Sequence, residues 1–360
     1  MNALHLTSHV GTINNIQNVF RFLNIESQLT TQSSIYTDYY MNETAADEVW
    51  KHYADKLDNF KFIIFTDTSM VARPFLQNIQ HHKCILIVYI TNRFDWGIWG
   101  NTDDSYYQLY SEMSKHDRVI FCADNGYDQY YAKQRGIQFL YEEPIKLTPI
   151  ISADITRHMN DRFFIYNRGS KINNYKDFLH LRSFKTPLSE AKGTVMSDED
   201  DADCAFSMRK GVNERNIDYD VYGEEHQRFR DTEHICEYKG FIHLPYQTNI
   251  QSLWENLGYS IVYFIPSKKF LIELITTTEW YYWEEKKQPE PLFTNSIDLS
   301  EWYANEDVFV YFDSWDDLKF QTETITDKQL YNKQLKIRHF IETSNRENIQ
   351  KWKYMLSDII

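Results

Sequence analysis

The sequence predicts an α/β protein with parallel sheets in two halves, and three observations predict it. Largely apolar runs of strand length recur along the chain: 3–7 (ALHLT), 60–66 (FKFIIFT), 84–90 (CILIVYI), 118–122 (RVIFC) and 162–166 (RFFIY), then 217–222, 239–244, 260–265 and 307–312. The segments between them are long enough for crossover helices, so the order reads strand, helix, strand. The runs are near-continuously apolar rather than alternating, as in parallel strands covered on both faces.

Each element follows from local pattern. After the strand 3–7 comes the turn Ser8-His9-Val10-Gly11-Thr12 and a helix to Leu23, with Ile13, Ile16, Phe20 and Leu23 on one face. The segment 142–160 holds Pro144 and Pro149 and reads as the linker between the halves. The run Ser197 to Asp203 (SDEDDAD) reads as a solvated acidic loop. The stretch 327–360 has helical spacing at Leu330, Leu335, Ile337, Phe340, Ile341, Ile349, Trp352, Met355 and Leu356, and predicts a terminal helix pair packing back on the body. The expectation is two Rossmann-like domains facing a cleft, 1–155 and 156–335, with 336–360 crossing back to the first.

Composition narrows the function classes. With 360 residues, 42% hydrophobic and 16% aromatic, the chain can bury one or two sizeable cores, and its length favours two domains. A formal charge of −14 gives no global basic field, so nucleic acid is excluded as a partner, while a ligand with two phosphates needs only a few local cations and helix amides. Cys84, Cys122, Cys204 and Cys236 show neither CxxC pairing nor zinc spacing with His, which points to reduced thiols and no structural metal. No stretch reaches about 18 uninterrupted apolar residues and no leader pattern opens the chain, so a cytoplasmic protein without an integral membrane segment is expected. GxGxxG, GxxxxGK[ST] and GxSxG are all absent, which argues against a nicotinamide dehydrogenase, a P-loop NTPase and an α/β-hydrolase.

The most specific stretch is Tyr238 to Ser267 (YKGFIHLPYQTNIQSLWENLGYSIVYFIPS): a strand, a Pro-containing loop, a helix carrying Trp254 and Glu255, and a strand ending in Pro-Ser. It resembles the nucleotide-binding half of GT-B glycosyltransferases, and the likeness spans 162–275. The chain also resembles sugar transferases encoded by large DNA viruses of algae, which implies glycan assembly on a secreted or virion glycoprotein. The resemblance implies a metal-independent, cofactor-free glycosyltransferase that takes a UDP- or GDP-linked sugar and an oligosaccharide or glycoprotein acceptor. In retaining members of that family two glutamates stand eight positions apart. Here Glu255 holds the second place and Gln247 the first, so the first carboxylate is replaced by an uncharged amide. That departure keeps open a catalytically silent carbohydrate-binding scaffold and a GT-B nucleotide-sugar epimerase.

Site candidates follow. Glu255 suits ribose, because its two oxygens accept from both hydroxyls, and Tyr246, Gln247, Asn249 and Ser252 stand on the same loop and helix. Arg168 and Lys171 in the turn after 162–166 are candidates for the diphosphate, with Arg209 and Lys210 as a rival pair. Gly11 lets the backbone approach a phosphate closely. For the catalytic base there are two candidates, His9 in the first strand-end turn and Asp95 after 84–90. Asn92, Arg93 and Trp96 beside Asp95 are candidates for the acceptor, with a plain lining role open to Trp96.

Overall fold

The computed structural model describes residues 2–7, 9–33, 40–98, 103–146, 161–166, 219–222, 235–277 and 283–357. The expected linker over 142–160 falls mostly outside them, as does the whole acidic run Ser197–Asp203. The chain divides into two compact units, Met1–Ile150 with Ser344–Ile360, and Ile151–Thr343.

In the first unit β1 (Ala3–Thr7), α1 (Val10–Phe22), β2 (Leu29–Ser33), α2 (Glu43–Tyr53), β3 (Phe62–Phe65), α3 (Arg73–Gln77), β4 (Ile85–Ile90), α4 (Asp104–Met113), β5 (Val119–Ala123) and α5 (Gly126–Gln134) follow in order. The strands form one parallel sheet in the order β2-β1-β3-β4-β5. β1, β3, β4 and β5 are buried at every position, which is why they read as apolar runs. β2 (LTTQS) was not expected; it is a half-exposed edge strand whose polar residues give no apolar run, and its register with β1 (Ala3↔Leu29) defines it. α1 lays Ile16, Val19 and Phe20 on the sheet, each worth about 1.5–3 kcal/mol relative to exposure. The same core takes in Trp352, Met355 and Leu356.

The second unit is likewise α/β and parallel. It runs β6 (Phe163–Tyr166), β7 (Tyr219–Tyr222), β8 (Gly240–Ile242), α6 (Gln251–Gly258), β9 (Tyr263–Pro266), α7 (Lys268–Thr277), α8 (Leu292–Asp298), β10 (Val310–Phe312) and α9 (Trp315–Thr324), with sheet order β10-β9-β8-β6-β7. Its core is aromatic: Tyr263 packs on Phe241 with ring centroids 4.7 Å apart, and Trp283 and Trp302 are fully buried. Gly240 is required by close approach, since a Cβ there would stand 2.6 Å from Cε2 of Phe264.

The expected terminal helix pair is instead one helix, α10 (Asp327–Ser357), of 31 residues. No Gly or Pro interrupts that stretch, so nothing breaks the backbone ladder between its two apolar groups. Leu330, Ile337 and Ile341 from its first half join the core of the second unit.

Candidate functional site

In the first unit the chain leaves β1 for β2 on one side, while β3 lies on the other. The carboxyl ends of β1 and β3 therefore mark the topological switch point, where open α/β sheets hold ligands. At the end of β1 a threonine pair closes the turn. Thr7 Oγ1 and Thr12 Oγ1 are 2.8 Å apart, the Thr12 hydroxyl donates to the His9 carbonyl at 2.9 Å, and the His9 N–H donates to Thr7 Oγ1 at 3.2 Å. His9 itself is the N-cap of α1, a place usually held by Ser, Thr, Asp or Asn. Its extended backbone turns the ring onto the helix end, and Nδ1 accepts from the Gly11 amide at 3.1 Å. The side chain is exposed, and Gly11 is half-buried.

At the end of β3 stands Asp67, whose φ of +72° is left-handed. That conformation costs a non-glycine residue about 1–2 kcal/mol, with Asp among the residues that tolerate it. The Asp67 N–H donates to Thr91 Oγ1 at 2.9 Å, and Thr91 follows β4 directly. Burial pushes the Asp67 carboxyl up, and the neighbouring His9 offsets part of that rise. The fold thus sets a half-buried carboxyl and an exposed imidazole after neighbouring strands, within electrostatic reach of one another. Beneath them, Thr66 Oγ1 meets Nε2 of His5 at 2.9 Å; burial lowers that histidine to about 3, so its ring is neutral. Sequence reasoning missed Asp67. The available signal was an acidic residue immediately past an all-apolar strand.

The cluster after β4 has a different character from the one expected. Arg93 Nε donates to Asp95 Oδ1 at 3.0 Å, and both side chains are only 3% exposed. The other Asp95 oxygen accepts from Tyr107 at 2.9 Å and from Tyr131 at 2.8 Å. The Arg93 guanidinium lies over the Tyr131 ring, and Arg135 lies over both tyrosines. Asp95, the rival candidate for the base, thus sits at the centre of a buried ionic cluster with both oxygens engaged. Arg93, expected to meet an acceptor, is buried with it. Asn92, whose Oδ1 accepts from the Arg93 N–H at 2.9 Å, and Trp96 are half-buried.

In the second unit the loop from β8 to α6 is pinned through its backbone. Glu284 N–H donates to the Tyr246 carbonyl, Trp302 Nε1 to that of Gln247 and Glu301 N–H to that of Thr248, at 2.9, 2.8 and 2.9 Å. Tyr246 is buried, Gln247 and Asn249 are half-buried, and on α6 Ser252 is exposed and Glu255 half-buried. Ser252 and Glu255 are three apart and share a helix face. His243 at the end of β8, which no local pattern marks, is buried against Trp302 with centroids 4.8 Å apart. Burial lowers it to about 3, and among the described residues neither ring nitrogen has a hydrogen-bond partner. The four candidate phosphate cations Arg168, Lys171, Arg209 and Lys210 lie outside the described residues.

Among the described residues no three His, Cys, Asp or Glu side chains gather to hold a metal ion. Cys84 and Cys122 are buried free thiols, and Cys204 is outside the described set. No described helix is long and apolar enough to cross a membrane.

No protein-family model matches the chain, and no curated protein matches it. Among solved structures it is similar to the calicheamicin glycosyltransferase CalG4, at 8% sequence identity and a TM-score of 0.43, over 99% of this chain and 98% of that one.

Proposed function

We propose that the chain is a glycosyltransferase that moves a sugar from a nucleotide-diphosphate sugar to a hydroxyl of a glycan acceptor. The observation that carries this reading is the placement of His9 and Asp67 after the neighbouring strands β1 and β3 at the switch point of the first unit, within electrostatic reach of one another. An imidazole beside a half-buried carboxyl suits removal of a proton from a hydroxyl, and the carboxylate stabilises the imidazolium that forms. The acceptor oxygen then bonds to the anomeric carbon, the bond from that carbon to the diphosphate breaks, and the electron pair leaves with the nucleotide.

In the cap arrangement Nδ1 accepts from Gly11, so the neutral ring carries its hydrogen on Nε2. To act as a base the ring turns out of the cap and exchanges its proton with solvent, giving up the Nε2 hydrogen and taking one on Nδ1, so that Nδ1–H is directed to Asp67 and Nε2 is free for the acceptor. Its exposure allows that turn without disturbing the core. On the donor side, the pinned loop carrying Gln247 and Asn249, with Ser252 and Glu255 on α6, holds the nucleoside and sugar hydroxyls. The phosphate role belongs to Arg168 and Lys171, with Arg209 and Lys210 as the competing pair, and needs no metal. Asn92 and Trp96 are half-buried after β4 and serve the acceptor.

The test is transfer of labelled sugar from UDP-, GDP-, CDP- and dTDP-sugars to glycan acceptors, alongside thermal shift by each nucleoside diphosphate. His9→Ala and Asp67→Asn should each lower kcat by about 10²–10⁴-fold while the shift caused by the nucleotide persists. Nucleotide binding without transfer to any acceptor, in a chain bearing Gln247 where a charge is common in the family, would support the silent scaffold. Absence of any nucleotide-induced shift would overturn the donor assignment.

A further inference from the structure

Three described residues other than glycine have left-handed backbones: Asn24, Asp67 and Ser260. Two of them end helices. Asn24 closes α1, its N–H donating to the Arg21 carbonyl, and Ser260 closes α6 in the same way onto Leu257. Asp67 ends no helix. It follows β3, where the register Phe65↔Val88 would carry the ladder on if the backbone stayed extended. A strained conformation of this kind persists only where its surroundings over-determine it.

The hydroxyl of Thr91 supplies that constraint. It accepts the Asp67 N–H at 2.9 Å and lies 3.4 Å from the Asp67 carbonyl oxygen, so one side chain grips the residue at both its backbone polar groups. The carboxyl held in this way lies within electrostatic reach of His9, which follows the neighbouring strand β1. We propose that Thr91 is a positioning residue for proton transfer: its hydroxyl locks Asp67 in the left-handed turn that keeps the carboxylate beside His9. This inference rests on the glycosyl-transfer reading for its catalytic readout, but the clamp itself is a claim about Asp67 alone. Without the hydroxyl, Asp67 relaxes toward the extended backbone, its N–H seeks water, and the carboxyl swings out of its half-buried place.

The experiment compares Thr91→Val, which keeps the shape and loses the hydroxyl, with Thr91→Ser, which keeps the hydroxyl. A displacement of about 1 Å in a catalytic group costs on the order of 10²-fold, so kcat for Thr91→Val should fall by about 10–100-fold with KM for the acceptor little changed, and Thr91→Ser should recover it. The second readout is the ¹³C titration of the Asp67 carboxyl, which burial raises in the parent. In Thr91→Val it should fall toward the ordinary carboxylate range, and in Thr91→Ser it should stay raised. Thr91→Ala reads the same two quantities should valine prevent folding. An Asp67 titration unmoved in both hydroxyl-free variants overturns the clamp. If the titration moves but Asp67→Asn leaves kcat intact, the clamp stands and the role of Asp67 in proton transfer is lost.

Discussion

Asp95→Asn separates a structural carboxylate from a catalytic one. The substitution keeps the shape and removes the charge from a centre that joins Arg93, Tyr107 and Tyr131, with both members of the ion pair 3% exposed. An amide has one acceptor oxygen and one NH2 group. Turned toward the tyrosines, it sets its NH2 against the Arg93 Nε–H. Turned toward Arg93, it takes the charged acceptor from both hydroxyls. Breaking a buried pair from one side costs about 3–5 kcal/mol, a large part of a total stability of about 5–15 kcal/mol. For a unit of this size that is a drop in Tm of roughly 6–20 °C. Tyr107→Phe and Tyr131→Phe each remove one hydrogen bond to the same carboxylate and should cost about 1.5–3 kcal/mol. The assay is calorimetric melting of all three variants, with turnover per folded molecule measured well below the lowered Tm. An unchanged Tm with a collapsed kcat would refute the reasoning and return Asp95 to the chemistry.

Two further predictions concern the frame around the sites. Burial opposes ionisation of Asp103, but the Ser105 hydroxyl at 2.5 Å and the Arg73 guanidinium at 2.6 Å hold its carboxyl down at about 2. A folded value below the unfolded one, about 3.9, means stability present above about pH 4 and lost as the pH falls to about 2. Asp103→Asn should flatten the acid limb of urea-unfolding stability in that window, and an unaltered limb would count against the pairing. Gly240→Ala forces a methyl to within 2.6 Å of Phe264, and overpacking of this kind costs about 1–3 kcal/mol, readable as a lower urea midpoint at constant slope. A parent-like midpoint would mean that Phe264 moves aside freely.

How much was legible follows burial. β4 could be read from Cys84–Ile90 alone because both its faces are covered, whereas β2 could not, since its Thr30, Gln32 and Ser33 are exposed and only pairing with β1 makes them a strand. His9 was legible because a histidine in a strand-end turn is a local pattern. Asp67 was not, because its nearness to His9 depends on β3 lying beside β1, and sheet order is not written in any one segment. The surroundings of Asp95 were legible only in part. Arg93 is two residues away and visible, but the tyrosines that remove Asp95 from solvent come from α4 and α5. The loop from β8 to α6 was legible as strand, loop and helix, while the isolation of His243 among aromatic rings depends on Trp302, far along the chain.

The presence of Trp352, Met355 and Leu356 in the core of the first unit has a consequence for biosynthesis. Trp352 packs against Tyr89 with ring centroids 5.6 Å apart, and the Lys351 carbonyl accepts from the Tyr141 hydroxyl. The sheet made first must therefore wait for residues translated only after the whole of the second unit. At about 5–20 residues per second that interval is roughly 10–40 s, during which β3, β4 and β5 lack part of their cover. A fragment ending near residue 150 would keep this apolar surface open for good. An isolated first unit is thus better built by grafting the 344–360 helix segment onto the fragment than by truncation alone.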